Sequence, residues 1–157
     1  MTKEKDLRVH IIKWLNENGL EVAHECYSMN NCDVVGFEFW PQTNRRVPEL
    51  RRVIAIELKI KDFQGVLMQC RDHRRYANQV YAAMPKIIVD KIKLETCYKF
   101  IEQGIGLLSV ADNGRVEVRN SSLNYDPNYN RNTKALWRWH KKNQKALFES
   151  ASRKVKK

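Results

Sequence analysis

The run RVIAIELKI, residues 52–60, is the feature that most constrains the fold of this chain. It is rich in β-branched residues, which favour a pleated sheet, so it predicts a strand. Glu57 and Lys59 are two residues apart in it, so both side chains leave the same face, about 6.6 Å apart. Two charges on one face of an otherwise apolar strand cost free energy unless they have a function.

The hydrophobic periodicity of the remaining sequence predicts further helices and strands around this run. Gly19 and Gly104 mark helix ends, and Asn113-Gly114 is typical of a hairpin turn. We expect the third helix to bury Ile92, Tyr98 and Ile101, together with either Cys97 or Leu94. The predicted order is helix 3–18, strands 20–27, 32–40 and 52–60, helix 62–75, strand 80–84, helix 89–103, strands 105–110 and 115–119, and helix 134–152. This order predicts an α/β domain with a mixed central sheet flanked by helices.

Composition excludes several classes of protein. The chain has 157 residues with 43% hydrophobic and 30% charged, which is typical of one soluble globular domain. No apolar run approaches the roughly 18 residues that span a bilayer, and no signal-type stretch follows the charged first residues.

The four cysteines lack C-x-x-C spacing, which favours reduced thiols over a zinc site. We treat His73 and His140 as structural or solvated, and we expect a cytoplasmic protein with no membrane partner.

The positive charge is concentrated near the C-terminus. Of the net +11, residues 131–157 carry +9 and residues 1–130 carry +2. A nearly neutral body with a basic terminal segment indicates contact with a polyanion, and nucleic acid is the simplest one. A lysine-rich solubility tail is the alternative. We therefore divide the chain into a domain of residues 1–130 and a basic C-terminal helix and tail of residues 131–157, packed on that domain.

Asp33 completes a cluster with the two charges of the third strand. It opens the preceding strand, and the spacing is Asp-x23-Glu-x-Lys. Two carboxylates are the hard oxygen ligands that Mg²⁺ prefers, and Mn²⁺ can substitute. A neighbouring lysine can orient the attacking water and offset developing negative charge. A surface ion pair at the strand end is the alternative interpretation.

This pattern resembles the D…E-x-K signature of the PD-(D/E)XK nuclease superfamily. Further segments are similar to the MmcB-type, DNA-repair-related branch, and the likeness runs from about residue 7 to 147. The segments similar to this branch are GLEVAHE (19–25), CDVV (32–35), AIELKIKDF (55–63), YAAMP (81–85) and GLLSVAD (106–112). The resemblance implies a restriction-endonuclease-like α-β-β-β-α-β core and a Mg²⁺-dependent endonuclease acting in DNA repair or on foreign DNA. Asp33, Glu57 and Lys59 would be catalytic, with Asp33 and Glu57 holding the metal.

Other residues are weaker candidates for the site. Glu25 matches a family acid, Glu4 lies in the first helix, and Gln69 resembles a glutamine that orients substrate. For each of them an ordinary exposed position is the alternative. The candidates for phosphate binding are basic residues of the second helix and of the C-terminal segment: Arg71, Arg74, Arg75, Lys134, Arg138, Lys141 and Lys142.

Three functions remain open on sequence alone. The first is a Mg²⁺-dependent endonuclease acting on DNA, with RNA also open as a substrate. The second is a non-catalytic nucleic-acid-binding module, and the third is a protein-interaction subunit whose basic tail contacts an acidic partner. The joint presence of Asp33, Glu57 and Lys59 favours the first, because a binding module has no need of an acidic pair where phosphate approaches. A homodimer is an additional expectation, since two strands must be cut.

Overall fold

The computed structural model describes residues 3–26, 32–40, 50–61 and 63–125, without the side chains of 23–26, 63 and 64. Four helices and six strands occur in these ranges. They are α1 (Glu4–Glu17), β1 (Glu21–Cys26), β2 (Cys32–Phe39), β3 (Leu50–Leu58), α2 (Phe63–His73), β4 (Gln79–Pro85), α3 (Lys86–Val89), α4 (Leu94–Glu102), β5 (Gly106–Val110) and β6 (Val116–Asn120). None of the helices in these ranges is both long enough and apolar enough to span a membrane.

The six strands form one sheet in the order β1-β2-β3-β4-β5-β6. β1, β2 and β3 are antiparallel, β3, β4 and β5 are parallel, and β6 returns antiparallel to β5. A parallel pair needs a crossover connection, and α2 supplies it between β3 and β4, while α3 and α4 supply it between β4 and β5. The mixed α/β sheet flanked by helices is therefore confirmed.

Each face of the sheet has its own apolar core. On one face, Leu7, Ile11 and Leu15 of α1 pack with residues of the sheet such as Ile56 and Leu58. The other face carries α2 and α4 and contains these buried residues: Val35, Val53, Ala55, Val66, Cys70, Ala82, Phe100 and Leu107. Alternate residues of β3 thus point to opposite cores, as the period of two requires. Glu57 follows Val53 and Ala55 at this spacing, so it belongs to the face that α2 covers.

The predicted turns are present where glycine was expected. Gly19, Gly104 and Gly114 all have positive φ, a region that residues with a Cβ rarely adopt. Gly19 ends α1, Gly104 follows α4, and Gly114 lies in the β5–β6 hairpin. These glycines confirm the predicted helix ends and the Asn113-Gly114 turn.

The predicted single helix 89–103 is wrong, because the chain forms α3 and then α4 with a break at residues 90–93. Asp90 accepts hydrogen bonds from Lys86 and from Arg119 of β6, which holds the end of α3. Because of the break, α4 buries a different face from the one predicted for the single helix. Phe100 is fully buried, while three residues that we expected at or near the core are more than half exposed: Leu94, Tyr98 and Ile101.

One predicted element lies outside the described residues. The predicted basic helix 134–152 falls in the part of the chain after residue 125 that the structure does not describe. The packing of a C-terminal helix on the domain therefore stays a prediction.

Candidate functional site

The pairing of β2 and β3 brings Asp33 and Glu57 together. Val34 pairs with Ile56, so Asp33 and Glu57 are the next residues along the two antiparallel strands. Asp33 is half-buried, and its Oδ2 accepts a hydrogen bond of 2.9 Å from the backbone N–H of Leu58. The carboxyl groups of Asp33 and Glu57 are close enough for Asp33 to raise the pKa of Glu57 through hydrogen bonding and through its negative charge. Two neighbouring carboxyl groups favour a proton or a cation near them, because both cannot be ionised there without repulsion.

Glu57 is buried, with only 2% of its surface exposed. Acidic side chains are rarely buried unless they have a partner. Burial, together with the hydrogen bond and the negative charge of Asp33, raises the pKa of Glu57 to about 9. Lys59 acts in the opposite direction, while Glu4 at the start of α1 contributes a further rise. The Glu57 carboxyl group is therefore protonated at neutral pH unless a cation takes the place of the proton.

His73 of α2 is the side chain that holds Glu57. Its Nε2 lies 2.5 Å from Glu57 Oε1, and its Nδ1 lies 2.8 Å from the hydroxyl oxygen of Tyr76. Burial lowers the pKa of His73 to about 4, although the charges of Asp72 and Asp33 act the other way. With Glu57 protonated and His73 neutral, the buried pair has no net charge, which limits its desolvation cost.

Cys32 lies beside this pair at the start of β2. Its Sγ, a carboxyl oxygen of Glu57 and a ring nitrogen of His73 all lie within 4.8 Å of one another, and all three residues are buried. The thiol donates to the carbonyl oxygen of Val34 at 3.3 Å and is hydrogen bonded to the side chain of Tyr76. Burial and the negative charge of Glu57 raise the pKa of Cys32, so the thiol is protonated.

Lys59 is half-buried just beyond the end of β3, and its backbone N–H donates to the carbonyl oxygen of Ala83 at 3.0 Å. The charge of Lys59 acts on Glu57 and lowers its pKa. The structure thus brings Asp33 and Glu57 together, and Lys59 acts on Glu57 through its charge.

The weaker candidates have different positions. Glu4 is exposed at the start of α1, and it reaches the site only through its charge. Gln69 is exposed on α2, so His73, one turn later, is the residue of that helix that contacts Glu57. Glu25 lies in β1, but its side chain is not among the described ones.

The predicted basic ridge on α2 surrounds an open depression of about 580 Å³ lined by Met68, Arg71, Asp72, Arg74 and Arg75. Arg71 and Arg75 are exposed. Arg74 is half-buried, donates to the carbonyl oxygen of Gln103 at 3.3 Å and lies over the ring of Tyr125. Arg71 and Arg75 can therefore meet phosphate, while Arg74 is held by the fold. The basic residues of the tail lie outside the described part of the chain: Lys134, Arg138, Lys141 and Lys142.

His73, expected from the sequence to be structural or solvated, is buried and hydrogen bonded to Glu57. The helical spacing could have shown this. Val66 and Cys70 face the core, and the next position of that stripe on α2 is residue 73. Cys32 is different, because its approach to Glu57 depends on the pairing of two strands and leaves no local signal in the sequence.

Comparison of the chain with protein-family models, with curated proteins and with solved structures gives no match. The chemistry of the site therefore has to be inferred from its own residues.

Proposed function

We propose that this protein is a divalent-metal-dependent nuclease that hydrolyses phosphodiester bonds in DNA, with RNA as an alternative substrate. The observation that carries the proposal is the pair of neighbouring carboxyl groups of Asp33 and Glu57 on two adjacent strands, with the charge of Lys59 acting on Glu57. The order α1-β1-β2-β3-α2-β4 supports a restriction-endonuclease-like core, in keeping with the resemblance in sequence. Repair or foreign-DNA processing is the role that this resemblance implies.

The residues present fit a Mg²⁺ ion. One oxygen of Asp33 is fixed by the Leu58 N–H, and one oxygen of Glu57 is fixed by His73, so both carboxyl groups are oriented before any ion arrives. A cation near the two carboxyl groups would take the place of the proton that Glu57, with its pKa of about 9, carries at neutral pH. Two carboxylates with water and substrate oxygens are a common ligand set for Mg²⁺. When bound there, Mg²⁺ supplies positive charge at the scissile phosphate.

The chain's own residues have distinct roles in hydrolysis. A water oxygen bonds to phosphorus and the bond to the departing ester oxygen breaks; the water loses one proton to solvent and the departing oxygen gains one. Lys59 orients the attacking water and offsets the negative charge that develops on the phosphate oxygens. His73 fixes the orientation of Glu57, and Tyr76 fixes the ring of His73. Arg71 and Arg75 hold flanking phosphates.

A second candidate function is a nucleic-acid-binding module without catalysis. The specific observation in its favour is the full burial of Glu57 and its contact with His73, which together satisfy the acid without any metal. The basic depression on α2 would then carry the binding.

Cleavage assays with a matched carboxylate control test the proposal. The chain should cut plasmid, duplex or single-stranded DNA in Mg²⁺ or Mn²⁺ and lose the activity in EDTA. Asp33→Asn should abolish cutting. Asp90→Asn removes an exposed carboxylate of the Lys86 ion pair, and it should cut at the wild-type rate. Binding of DNA with no cleavage in any metal would favour the binding module.

A further inference from the structure

We propose that Cys32, Glu57 and His73 form a second kind of metal site, selective for Zn²⁺ and similar borderline ions over Mg²⁺. The donors are one sulfur, one oxygen and one nitrogen, all within 4.8 Å of one another on buried residues. Thiolate and imidazole ligands select Zn²⁺ and other late transition metals, whereas Mg²⁺ prefers oxygen alone. The site goes beyond the proposed nuclease chemistry, and it shares with it Glu57 and the histidine that orients Glu57, His73.

The orientation of His73 supports ligation independently of the donor distances. Its Nε2 faces the cluster, while its Nδ1 is held at 2.8 Å by the hydroxyl group of Tyr76. Histidine ligands of metal ions usually have the second ring nitrogen fixed by such a partner, which sets the tautomer and the ring plane. Tyr76 is 2% exposed, so this support is itself rigidly packed.

The charges of the three ligands would balance the charge of a buried divalent ion and so reduce the free-energy cost of burying it. A divalent ion with one thiolate, one carboxylate and one neutral imidazole has no net charge, so its burial avoids the large cost of an isolated ion. Coordination requires the loss of the thiol and carboxyl protons, and a bound Zn²⁺ ion deprotonates a thiol outright.

Ligation needs one local adjustment. Tetrahedral zinc ligands lie about 3.3–3.7 Å apart, given metal–ligand distances of about 2.0–2.3 Å. The contact of 2.5 Å between His73 and Glu57 must therefore open by about 1 Å, which a small rotation of the Glu57 side chain provides. The ion thus replaces the His73–Glu57 hydrogen bond. It would also compete with Mg²⁺ for Glu57, so Zn²⁺ is expected to inhibit the proposed nuclease.

Cobalt spectroscopy on the full chain tests the site without any assay of cleavage. Co²⁺ ligated by a thiolate has an intense charge-transfer absorption, and Zn²⁺ displaces it. We expect one equivalent of Co²⁺ to give this absorption, Zn²⁺ to remove it, and excess Mg²⁺ to leave it unchanged. Cys32→Ser should abolish the absorption. Cys70→Ser, a change at another buried thiol on the same face of the sheet, should retain it.

A second variant keeps the test decisive if Cys32→Ser fails to fold. His73→Gln leaves the thiol in place and should weaken Co²⁺ binding by at least tenfold. Absence of the absorption in the wild type, its persistence in Cys32→Ser, its loss in Cys70→Ser, or unchanged affinity in His73→Gln would each overturn the site. Because the absorption reports ligation alone, failure of the metal site and failure of the nuclease proposal are distinguishable.

Discussion

His73 on α2 and Glu57 on β3 are joined by a hydrogen bond of 2.5 Å between Nε2 and Oε1 in the interior of the domain. The two residues are almost fully buried, and burial moves their pKa values in opposite directions, upward for Glu57 and downward for His73. Helix α2 thereby positions the Glu57 carboxyl group of β3. The hydrogen bond thus connects α2, the crossover helix between β3 and β4, to one of the proposed metal ligands.

Removal of the His73 side chain should destabilise the domain. In His73→Ala the Glu57 carboxyl group loses a buried partner and a cavity forms, so we expect the free energy of unfolding to fall by about 2–4 kcal/mol. Tyr76→Phe removes one hydroxyl group and should cost about 1 kcal/mol. Urea denaturation measures both. Tyr98→Phe, at a position 54% exposed, is the control and should be neutral; a neutral His73→Ala would contradict the structural role of the pair.

The same pair predicts how stability depends on pH in EDTA. The folded-state pKa of Glu57 is raised from 4.5 to about 9, so its contribution is present below pH 4.5 and is lost as pH rises towards 9. The pKa of His73 is lowered from 6.5 to about 4, so its contribution is present above pH 6.5 and is lost as pH falls towards 4. Between pH 4.5 and 6.5 the two slopes cancel.

Of these two residues, only Glu57 still titrates differently in the folded and unfolded states above pH 6.5, so its contribution should make the free energy of unfolding fall with pH up to about 9. The limiting slope is about 1.4 kcal/mol per pH unit. Denaturation curves at about pH 5.5, 7 and 8.5 measure it. Glu57→Gln cannot titrate and should lose this alkaline decline. An identical decline in Glu57→Gln would assign it to other groups.

The exposed arginines at the end of α2, Arg71 in the helix and Arg75 just after it, should contribute to nucleic-acid binding. Replacement of Arg71 and Arg75 by glutamine removes two positive charges from the basic depression. The slope of log K against log salt for duplex DNA should then decrease by up to about 0.9 for each phosphate that is no longer neutralised. Lys91→Gln with Arg115→Gln removes the same charge at other exposed positions and should change the slope less. Equal effects of the two double variants would show that only net charge matters.

Deletion of residues 131–157 removes a formal charge of +9. We expect weaker binding of nucleic acid and a flatter salt dependence, because the slope scales with the phosphates neutralised. Fluorescence anisotropy over a salt series measures both, and circular dichroism checks that the shortened chain is folded. A folded deletion variant with the wild-type slope would reassign the tail to solubility or to a protein partner.

Much of the fold follows from the sequence because the local signals agree with the tertiary structure. The aliphatic run of β3, the glycines with positive φ and the Asn113-Gly114 turn each specify one element or its end. The break between α3 and α4 has no such signal. No glycine or proline interrupts residues 86–102, and Asp90 is held partly by Arg119, which is distant in sequence.

The candidate site divides in the same way. Asp33, Glu57 and Lys59 could be grouped from sequence, since Asp33 and Glu57 lie on two adjacent predicted strands and Lys59 follows Glu57 by two residues. His73 could be placed inward by its helical spacing, but its hydrogen bond to Glu57 depends on how α2 lies against the sheet. Cys32 joins the cluster only through the pairing of β2 with β3. Such contacts depend on tertiary packing, which a periodic pattern does not specify.

The most direct test compares DNA cleavage and DNA binding in the wild type and in Glu57→Gln, each purified free of host nuclease. Glutamine keeps the shape of the side chain but cannot ionise, so it removes the anion that would bind the metal. We expect Glu57→Gln to lose cleavage while binding DNA as tightly as the wild type or more tightly. Lys59→Ala should lose more than about tenfold in rate, equivalent to about 1.4 kcal/mol of transition-state stabilisation. Cleavage by Glu57→Gln at the wild-type rate would contradict the assignment of the active site.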